Sequence, residues 1–256
     1  MNFSGSFDKN TIGRLVEKSL TKLGEKASPE LCFYVGSVVE KLLEEMEADK
    51  VKEEMVCAGR HFYNMGFMAG ASGNISVRTG SDSILITPSG LNKGSMSSAD
   101  MLKVNLQGEV IEESVRKPSS EMKMHLASYR HRPDIGAIIH SHPPFATSFA
   151  AAGLALDMPV LPEAILILGS VPIVEYGMPS TDEVPEKLIP WLPDHNVFLL
   201  ANHGALVFGA DLKEASHRME TLELYAKVIL MARMLGGEKL LSAENLERLK
   251  NAFNIR

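Results

Sequence analysis

The apolar residues of the first fifty positions recur at the spacing of an α-helix. Residues 1–48 are therefore predicted to be helical, on two groups of apolar positions: Leu15, Val16, Leu20 and Leu23, and Val38, Val39, Leu42, Leu43 and Met46. Ser28-Pro29-Glu30 is typical of a helix start, with serine as the N-cap and proline at the first helical position. A further helix is predicted over residues 52–67, where glycines follow the helical pattern.

Beyond residue 70 the pattern changes to short apolar segments separated by turns. Strands are predicted at residues 74–78, 83–87, 101–105, 109–112, 137–142, 163–169, 173–176, 197–201 and 204–208. Helices are predicted at 119–131, 143–151, 212–235 and 242–253. Because several strands follow one another directly, we expect a mixed or largely antiparallel sheet with helices on its faces. The chain would then comprise an N-terminal helical extension, residues 1–50, and one α/β domain, residues 51–256.

Composition and charge narrow the range of functions. The 256 residues carry 26 Lys and Arg against 32 Asp and Glu, and no basic cluster stands out, so nucleic-acid binding is not expected. No apolar run reaches the roughly 18 residues of a membrane span, so no membrane association is expected. Two cysteines exclude a disulfide scaffold and the N-terminus lacks the pattern of a signal peptide, so a cytoplasmic location is expected.

Two histidines at the end of one predicted strand are candidate metal ligands. In Ile138-Ile139-His140-Ser141-His142, strand alternation places His140 and His142 on the same face. His203, between the apolar run 197–201 and Gly204, is a third candidate at another strand end. Three imidazoles with an open fourth position are a ligand set of catalytic zinc and suit other divalent metals. Taken singly, each histidine could instead be an ordinary one at a strand end, satisfied by hydrogen bonds in the core.

Three short polar segments beside these elements could bind an anion. Lys117-Pro118-Ser119-Ser120-Glu121 opens a predicted helix, whose N-terminal amides and two serine hydroxyls favour an anion, and Glu121 could face that pocket as a base. Ser72-Gly73-Asn74 and Thr87-Pro88-Ser89-Gly90 are turns that offer backbone N–H groups and small polar side chains. Taken singly, each segment is more typical of a helix cap or a plain turn.

In this order the motifs resemble the class II (zinc-dependent) aldolase and adducin family, which includes L-fuculose-phosphate aldolase. The resemblance covers about residues 51–235 and depends on five segments: Gly73-Asn74-Ile75-Ser76-Val77-Arg78, Thr87-Pro88-Ser89-Gly90, Lys117-Pro118-Ser119-Ser120-Glu121, His140-Ser141-His142 and Asn202-His203-Gly204. It implies a three-layer α/β/α domain around a mainly antiparallel sheet, assembled as a homotetramer with sites at subunit interfaces. The N-terminal extension is not part of the family's common core.

The resemblance also implies roles for individual residues. His140, His142 and His203 would hold a zinc ion or another divalent metal, and Glu121 would be the catalytic acid/base. The substrate phosphate would be bound by Gly73, Asn74, Ser89, Gly90, Ser119 and Ser120. The implied enzyme is a lyase of carbohydrate metabolism that reversibly cleaves a ketose 1-phosphate to dihydroxyacetone phosphate and an aldehyde through a zinc-stabilised enediolate. A pKa of Glu121 raised toward neutrality would suit this role. No Schiff-base lysine is required, and no buried catalytic lysine is evident.

The sequence departs from L-fuculose-phosphate aldolase at two tyrosines. The proton-donating tyrosine of that enzyme has no counterpart in residues 158–164, where Glu163 lies near its position, and its C-terminal tyrosine has none after Tyr225. Three alternatives stay open: a sugar-phosphate 4-epimerase, a dehydratase of the same family, and a non-catalytic, adducin-like interaction module. The dehydratase branch lacks a glutamate at the position of Glu121. A non-catalytic module has no reason to keep three histidines and the glutamate together.

Overall fold

The computed structural model describes residues 9–22 and 28–253. Contacts divide the chain after Val51 into two units, Met1–Val51 and Lys52–Arg256. Helix α1 spans Lys9–Lys22 and helix α2 spans Pro29–Asn64. Leu23, part of the predicted helical pattern, lies outside the described residues. No helix in the described ranges is long and apolar enough to cross a membrane.

Helix α2 begins where the sequence predicts and ends later than expected. The Ser28 hydroxyl accepts a hydrogen bond from the Leu31 amide at 3.2 Å, as an N-cap does. The prediction of separate helices on either side of residue 50 is wrong, since α2 continues to Asn64. The segment where the break was predicted contains neither glycine nor proline, so nothing interrupts the helical hydrogen bonds. Gly66, with a φ of 77°, follows the end of the helix.

Within the described residues, seven strands form one sheet in the order β3-β2-β1-β4-β7-β6-β5. Their bounds are β1 Asn74–Arg78, β2 Ser83–Ile86, β3 Leu102–Asn105, β4 Ala137–Ser141, β5 Ile173–Val174, β6 Val197–Leu200 and β7 Gly204–Gly209. Every neighbouring pair is antiparallel except β5 with β6, so the expected mainly antiparallel sheet is confirmed. In this sheet, Asn74 of β1 stands opposite His140 of β4.

Helices cover both faces of the sheet. One face packs against α3 (Met122–His131) and α6 (Glu183–Leu188), and its buried core includes Ile138, Leu206 and Phe208. The other face packs against α4 (Pro144–Ala152) and α7 (Leu212–Met234). Successive side chains of β4 show the alternation, since Ser141 donates to the sulfur of Met219 on α7 while His140 faces Glu121. Helices α5 (Pro162–Ile167) and α8 (Ala243–Ala252) complete the described set.

Three elements differ from the predictions. Residues 163–169, predicted as a strand, overlap helix α5, because Pro162 and Glu163 favour a helical first turn and a short apolar run alone does not distinguish strand from helix. Residues 109–112 form no strand, and only an isolated bridge joins Val110 to Val104. Helix α6 is absent from the predicted elements because its six residues, with Pro185 inside, are too few to show a helical period.

Candidate active site

His140 is buried in strand β4 between β1 and β7, with 0% of its surface exposed. Its Nδ1 lies 2.8 Å from the carbonyl oxygen of Ala205 on β7. Because a carbonyl oxygen can only accept a hydrogen bond, Nδ1 carries the hydrogen. In the neutral ring Nε2 is therefore unprotonated and available as a ligand atom.

His142 directly follows β4, and hydrogen bonds fix its own backbone and the start of the next helix. Its amide donates to the Phe67 carbonyl oxygen at 2.8 Å. Just beyond it, the amides of Phe145 and Ala146 donate to the carboxylate of the buried Glu223 at 2.9 and 2.8 Å, which caps helix α4. Burial lowers the pKa of His142 to about 4, with further lowering by His140 and His203. The ring is therefore neutral at physiological pH, the form that binds a metal.

A three-residue hairpin turn between β6 and β7 presents His203. Leu200 pairs with Gly204 across the turn, and the His203 amide donates to the Leu200 carbonyl oxygen at 3.0 Å. Asn202 takes a φ of 57°, a left-handed conformation that asparagine adopts more readily than most residues. Gly204 permits close packing, because a Cβ there would lie 2.5 Å from Cδ2 of His142.

The three histidines form a cluster that could hold a metal ion. One ring nitrogen from each lies within 4.8 Å of the others, and Nε2 of His140 and Nε2 of His142 are 3.1 Å apart. The Glu121 carboxylate is 3.3 Å from His140 Nε2 and 3.1 Å from His203 Nε2. His140 Nε2 and the ionised Glu121 carboxylate face each other as acceptors, and a cation shared with the other two rings would make this contact favourable. The donor set therefore fits zinc or a related divalent ion.

Glu121 immediately precedes α3, which begins at Met122 and not at Ser119 as predicted. Burial raises the pKa of Glu121, but the charges and hydrogen bonds of His140 and His203 lower it by more, so it lies well below its ordinary value. This direction is opposite to the raised pKa expected from the sequence, because positive charge at the two rings outweighs desolvation, and a cation held by neutral rings would act in the same direction. The carboxylate is therefore ionised, which is the form that can accept a proton.

A chain of hydrogen bonds leads from Glu121 into the buried layer between α3 and β1. Asn74 Nδ2 donates to Glu121 Oε2 at 2.8 Å, and His125 Nε2 lies 2.5 Å from Asn74 Oδ1. Because that amide oxygen can only accept, His125 carries its hydrogen on Nε2, and its Nδ1 accepts from Ser76 Oγ at 2.7 Å. Tyr129 donates to Ser76 in turn. Each group donates towards Glu121, so the core fixes the orientation of the carboxylate.

Two of the residues predicted to bind phosphate, Gly73 and Asn74, enter β1 beside His140. Gly73 has a φ of 72°, and a Cβ on it would lie 2.9 Å from the His140 carbonyl oxygen, so glycine permits this close approach. The exposed fraction of Asn74 is 2%, and its amide is already engaged by Glu121 and His125.

The other predicted phosphate-binding residues lie on two loops that pair with each other. The Ser89 amide donates to the Lys117 carbonyl oxygen at 2.9 Å, and the Ser119 amide donates to the Thr87 carbonyl oxygen at 3.1 Å. Ser119 is buried and its Oγ accepts from the Glu121 amide at 3.3 Å. Three residues of the predicted phosphate-binding set are exposed at the surface: Ser89, Gly90 and Ser120. The structure thus brings the Ser89 and Ser119 loops together on the side of Glu121.

Two buried polar residues in this region have no assigned role in the sequence analysis. His125 is 0% exposed and Lys93 is 1% exposed. The spacing of four between Glu121 and His125 places both on one helix face, which is a usable signal. The sequence gives no such signal for the burial of Lys93, because Asn92-Lys93-Gly94 has the composition of a surface turn. Lys93 is therefore a buried lysine that the sequence pattern did not reveal.

Glu163 and Tyr225 mark the two regions in which tyrosines of L-fuculose-phosphate aldolase have no counterpart. Glu163 is exposed in the first turn of α5. Tyr225 is buried on α7, and its hydroxyl donates to the Met158 carbonyl oxygen. Fold and site together define a three-layer α/β protein with a three-histidine ligand cluster and an adjacent carboxylate.

Comparison with known proteins identifies its family. The family described as "Class II Aldolase and Adducin N-terminal domain" matches residues 53–230. The 3-oxo-tetronate 4-phosphate decarboxylase of Pectobacterium atrosepticum is 35% identical over 206 residues, covering 78% of this chain and 92% of that protein. The 5-deoxy-D-ribulose 1-phosphate aldolase of Bacillus thuringiensis is 34% identical over 210 residues, covering 81% and 97%. A solved structure of L-fuculose 1-phosphate aldolase has a TM-score of 0.73 and 31% identity, covering 80% of this chain and 97% of that chain.

The chain therefore belongs to the class II aldolase and adducin family, and the resemblance seen in its motifs is confirmed. These relatives comprise aldolases and a decarboxylase, so membership supports a lyase without choosing between the two reactions.

Replacing Gly204 with alanine is expected to weaken zinc binding by about tenfold or more, because the added Cβ would displace the His142 ring. Competition with a chromogenic chelator measures the affinity. Gly36→Ala is the matched control, since a Cβ at Gly36 meets nothing within 4 Å. A folded Gly204→Ala protein with the affinity of the control would contradict the assignment of His142.

The pH dependence of folding is expected to report on His125. Burial lowers its pKa to about 3 from an ordinary 6.5, with a smaller lowering by His140 and an opposing effect of Glu121. As the pH falls below that ordinary value, the unfolded chain binds a proton that the folded protein excludes, so stability decreases. Between about pH 7.5 and pH 5 this difference in proton binding lowers the free energy of unfolding by about 2 kcal/mol.

Between pH 7.5 and pH 5, the free energy of unfolding of His125→Gln is expected to fall by about 2 kcal/mol less than that of the wild type, because glutamine does not titrate. Its amide can still donate to Asn74 and accept from Ser76. Urea unfolding of the chelator-treated protein at both pH values measures the difference. His217→Gln, at an exposed position on α7, is the control and should keep the wild-type dependence. Equal pH dependence in His125→Gln and wild type would show that His125 does not carry the effect.

Proposed function

We propose that this chain is a metal-dependent aldolase that reversibly cleaves a ketose 1-phosphate into dihydroxyacetone phosphate and an aldehyde. The observation that carries the proposal is a cluster of four residues. One ring nitrogen from each of three histidines lies within 4.8 Å of the others, and the Glu121 carboxylate oxygens lie 3.1–3.3 Å from Nε2 of two of them. Membership of the family supports a lyase. The cluster and the lyase relatives favour catalysis over an adducin-like interaction module.

The three histidines would hold the metal, with zinc as the ion that this ligand set favours. When bound, the metal supplies Lewis acidity that polarises the substrate carbonyl and offsets the negative charge developing on its oxygen. The hydrogen bond from His140 Nδ1 to Ala205 fixes that ring before any ion arrives. His142 and His203 are only half-buried, so the cluster can be reached from their side.

Glu121 would move the proton at C3, the carbon whose bond to C4 is made or broken. In the synthetic direction its carboxylate takes a proton from C3 of dihydroxyacetone phosphate, and the C–H electron pair moves towards the carbonyl to give an enediolate. C3 then attacks the aldehyde carbon, and the aldehyde oxygen gains a proton. In cleavage the C4 hydroxyl loses its proton and becomes the aldehyde carbonyl as the C3–C4 bond breaks, and the electron pair of that bond regenerates the enediolate. Glu121, having taken up one proton, returns it to C3, so one proton leaves the C4 oxygen and one arrives at C3.

The phosphate would be held by the turns that surround this carboxylate. The hydroxyls of Ser89, Ser119 and Ser120 and the backbone amides of Gly90 and Ser120 would bind its oxygens, beside Gly73 and Asn74. Holding the phosphate places C3 within reach of Glu121, and such positioning lowers the barrier by avoiding the loss of entropy at the reaction step. A homotetramer and a cytoplasmic location stay predictions from the sequence.

A second candidate reaction is decarboxylation, which the relative from Pectobacterium atrosepticum favours by its name. When 3-oxo-tetronate 4-phosphate loses CO₂, the electron pair of the broken C–C bond forms an enediolate with the adjacent ketone. Protonation of that carbon gives dihydroxyacetone phosphate. The enediolate is the same as in the aldol reaction, so Glu121 and the phosphate-binding turns would have the same tasks.

Glu121→Gln is expected to slow exchange of the C3 proton of dihydroxyacetone phosphate with D₂O by about 100-fold or more, because an amide cannot accept that proton. Proton NMR follows the exchange with and without a chelator. The variant should keep its zinc, whereas His142→Ala should lose both zinc and exchange.

Equal exchange in Glu121→Gln and wild type would reject Glu121 as the base. Absence of exchange in the fully metallated wild type would count against both reactions that proceed through this enediolate.

The choice between the two reactions is testable with two substrates that release the same product. We expect the metallated protein to form dihydroxyacetone phosphate from 5-deoxyribulose 1-phosphate with the larger kcat/KM. A coupled assay with glycerol-3-phosphate dehydrogenase reads the product in both cases. A larger kcat/KM for 3-oxo-tetronate 4-phosphate would assign the chain as a decarboxylase instead.

A further inference from the structure

Lys93 is a buried lysine that the reaction steps above do not use. It begins a short 3₁₀ turn, Lys93–Ser95, and only 1% of its surface is exposed. Its Nζ donates to the carbonyl oxygen of Leu91 at 2.7 Å and to that of Ala71 at 3.3 Å. None of the ion pairs found among the described residues involves it.

A buried ammonium without a carboxylate partner is unfavourable, because two neutral carbonyl dipoles replace only part of its hydration. Burial lowers the pKa of Lys93 to about 8, and the negative charge of Glu121 opposes that shift. Lysine offers three hydrogens, of which the two carbonyls take two. An anionic ligand would supply both the missing charge and the third acceptor.

The two carbonyls belong to the loops predicted to hold the substrate phosphate. Ala71 directly precedes Ser72-Gly73-Asn74, and Leu91 directly follows Ser89-Gly90. One ammonium therefore joins both loops from inside the protein.

Close packing holds the Lys93 turn against helix α2. A Cβ on Gly94 would lie 2.5 Å from the Tyr63 ring, and a Cβ on Gly59 would lie 3.0 Å from the Lys93 carbonyl oxygen. Two glycines thus allow the backbone to approach closely enough for the lysine to be buried.

We propose that Lys93 is a specificity-determining residue of the phosphate subsite, where its buried ammonium joins the two loops and supplies the positive charge that favours a phosphate dianion over an uncharged group. This inference rests on the proposed function for the location of the phosphate. It assigns Lys93 to binding and not to the proton transfer, which belongs to Glu121.

The charge and the loop-joining role can be separated with three variants. Lys93→Gln keeps a side-chain amide that can donate to a carbonyl but removes the charge, Lys93→Met removes both, and Lys93→Arg keeps the charge. Calorimetry with inorganic phosphate as the probe measures affinity. Lys103→Gln, a partly exposed lysine that pairs with Glu112 at 3.5 Å, is the matched control.

We expect Lys93→Gln and Lys93→Met to bind inorganic phosphate at least about tenfold more weakly, and Lys93→Arg to retain more of the affinity. In the exchange assay, KM for dihydroxyacetone phosphate should rise by a similar factor while kcat changes much less. A role limited to loop joining would instead leave Lys93→Gln close to wild type. Phosphate affinity of Lys93→Gln equal to that of Lys103→Gln overturns the proposal, as does a wild type that binds no phosphate.

If the variants do not fold, ¹⁵N NMR of the wild-type lysine ammonium gives a second test. Titration with inorganic phosphate should shift the Lys93 Nζ resonance, and an unchanged resonance at saturation overturns the proposal. Borohydride trapping with dihydroxyacetone phosphate should leave Lys93 unmodified, and a reduced adduct on Lys93 would replace the binding role with Schiff-base chemistry. Loss of phosphate affinity in Lys93→Gln without any proton exchange in wild type would sustain this inference while refuting the proposed reaction.

Discussion

The antiparallel pairing of β4 with its two neighbours places a histidine where solvent cannot hydrate it, and the rest of the site is arranged around that ring. Asn74 stands opposite His140 on one side, and Ala205 accepts the His140 Nδ1 hydrogen on the other. Because side chains alternate, a slip of one residue in β4 would turn His140 towards α7 and bring Ser141 to the α3 face. The register of the sheet therefore sets both the position of His140 and the ring nitrogen that it presents to Glu121.

Helix α3 brings the negative charge to this ring. Its first residues place Glu121 against His140 and His203, and further along it presents His125 and Tyr129 to the polar positions of β1. At the end of this hydrogen-bonded chain farthest from Glu121, Arg78 donates to the Tyr129 carbonyl oxygen at 2.8 Å. Buried polar groups are unfavourable unless each finds a partner, and here the partners are specific to one arrangement. The same hydrogen bonds that satisfy the core thus hold the carboxylate at the cluster.

Local patterns in the sequence predicted the features that depend on short-range periodicity. Alternation along β4 predicted that His140 and His142 would act together, and the position of His203 before Gly204 predicted a third ligand at a strand end. Alternation could not separate strand from helix in residues 163–169, where the apolar run is too short. The burial of Lys93 depends on Gly59 and Tyr63, some thirty residues earlier in the chain, so no local pattern reports it. The hydrogen bonds that orient Asn74 likewise depend on pairing between distant elements.

The chemistry of the cluster does not by itself choose between an aldolase and a decarboxylase. Both proposed reactions would leave the same enediolate beside the same phosphate, so the three histidines, Glu121 and the turns proposed to bind phosphate would meet the same demands in either case. The choice must come from groups that contact the fragment that leaves, an aldehyde or CO₂. Such groups would lie on the side of the cluster away from the phosphate. Glu163 is exposed on α5 and the buried Tyr225 donates its hydroxyl hydrogen to the Met158 carbonyl oxygen, so neither of these contacts ties the two side chains to Glu121. Selecting the leaving fragment and moving the proton at C3 are therefore separate demands on the chain.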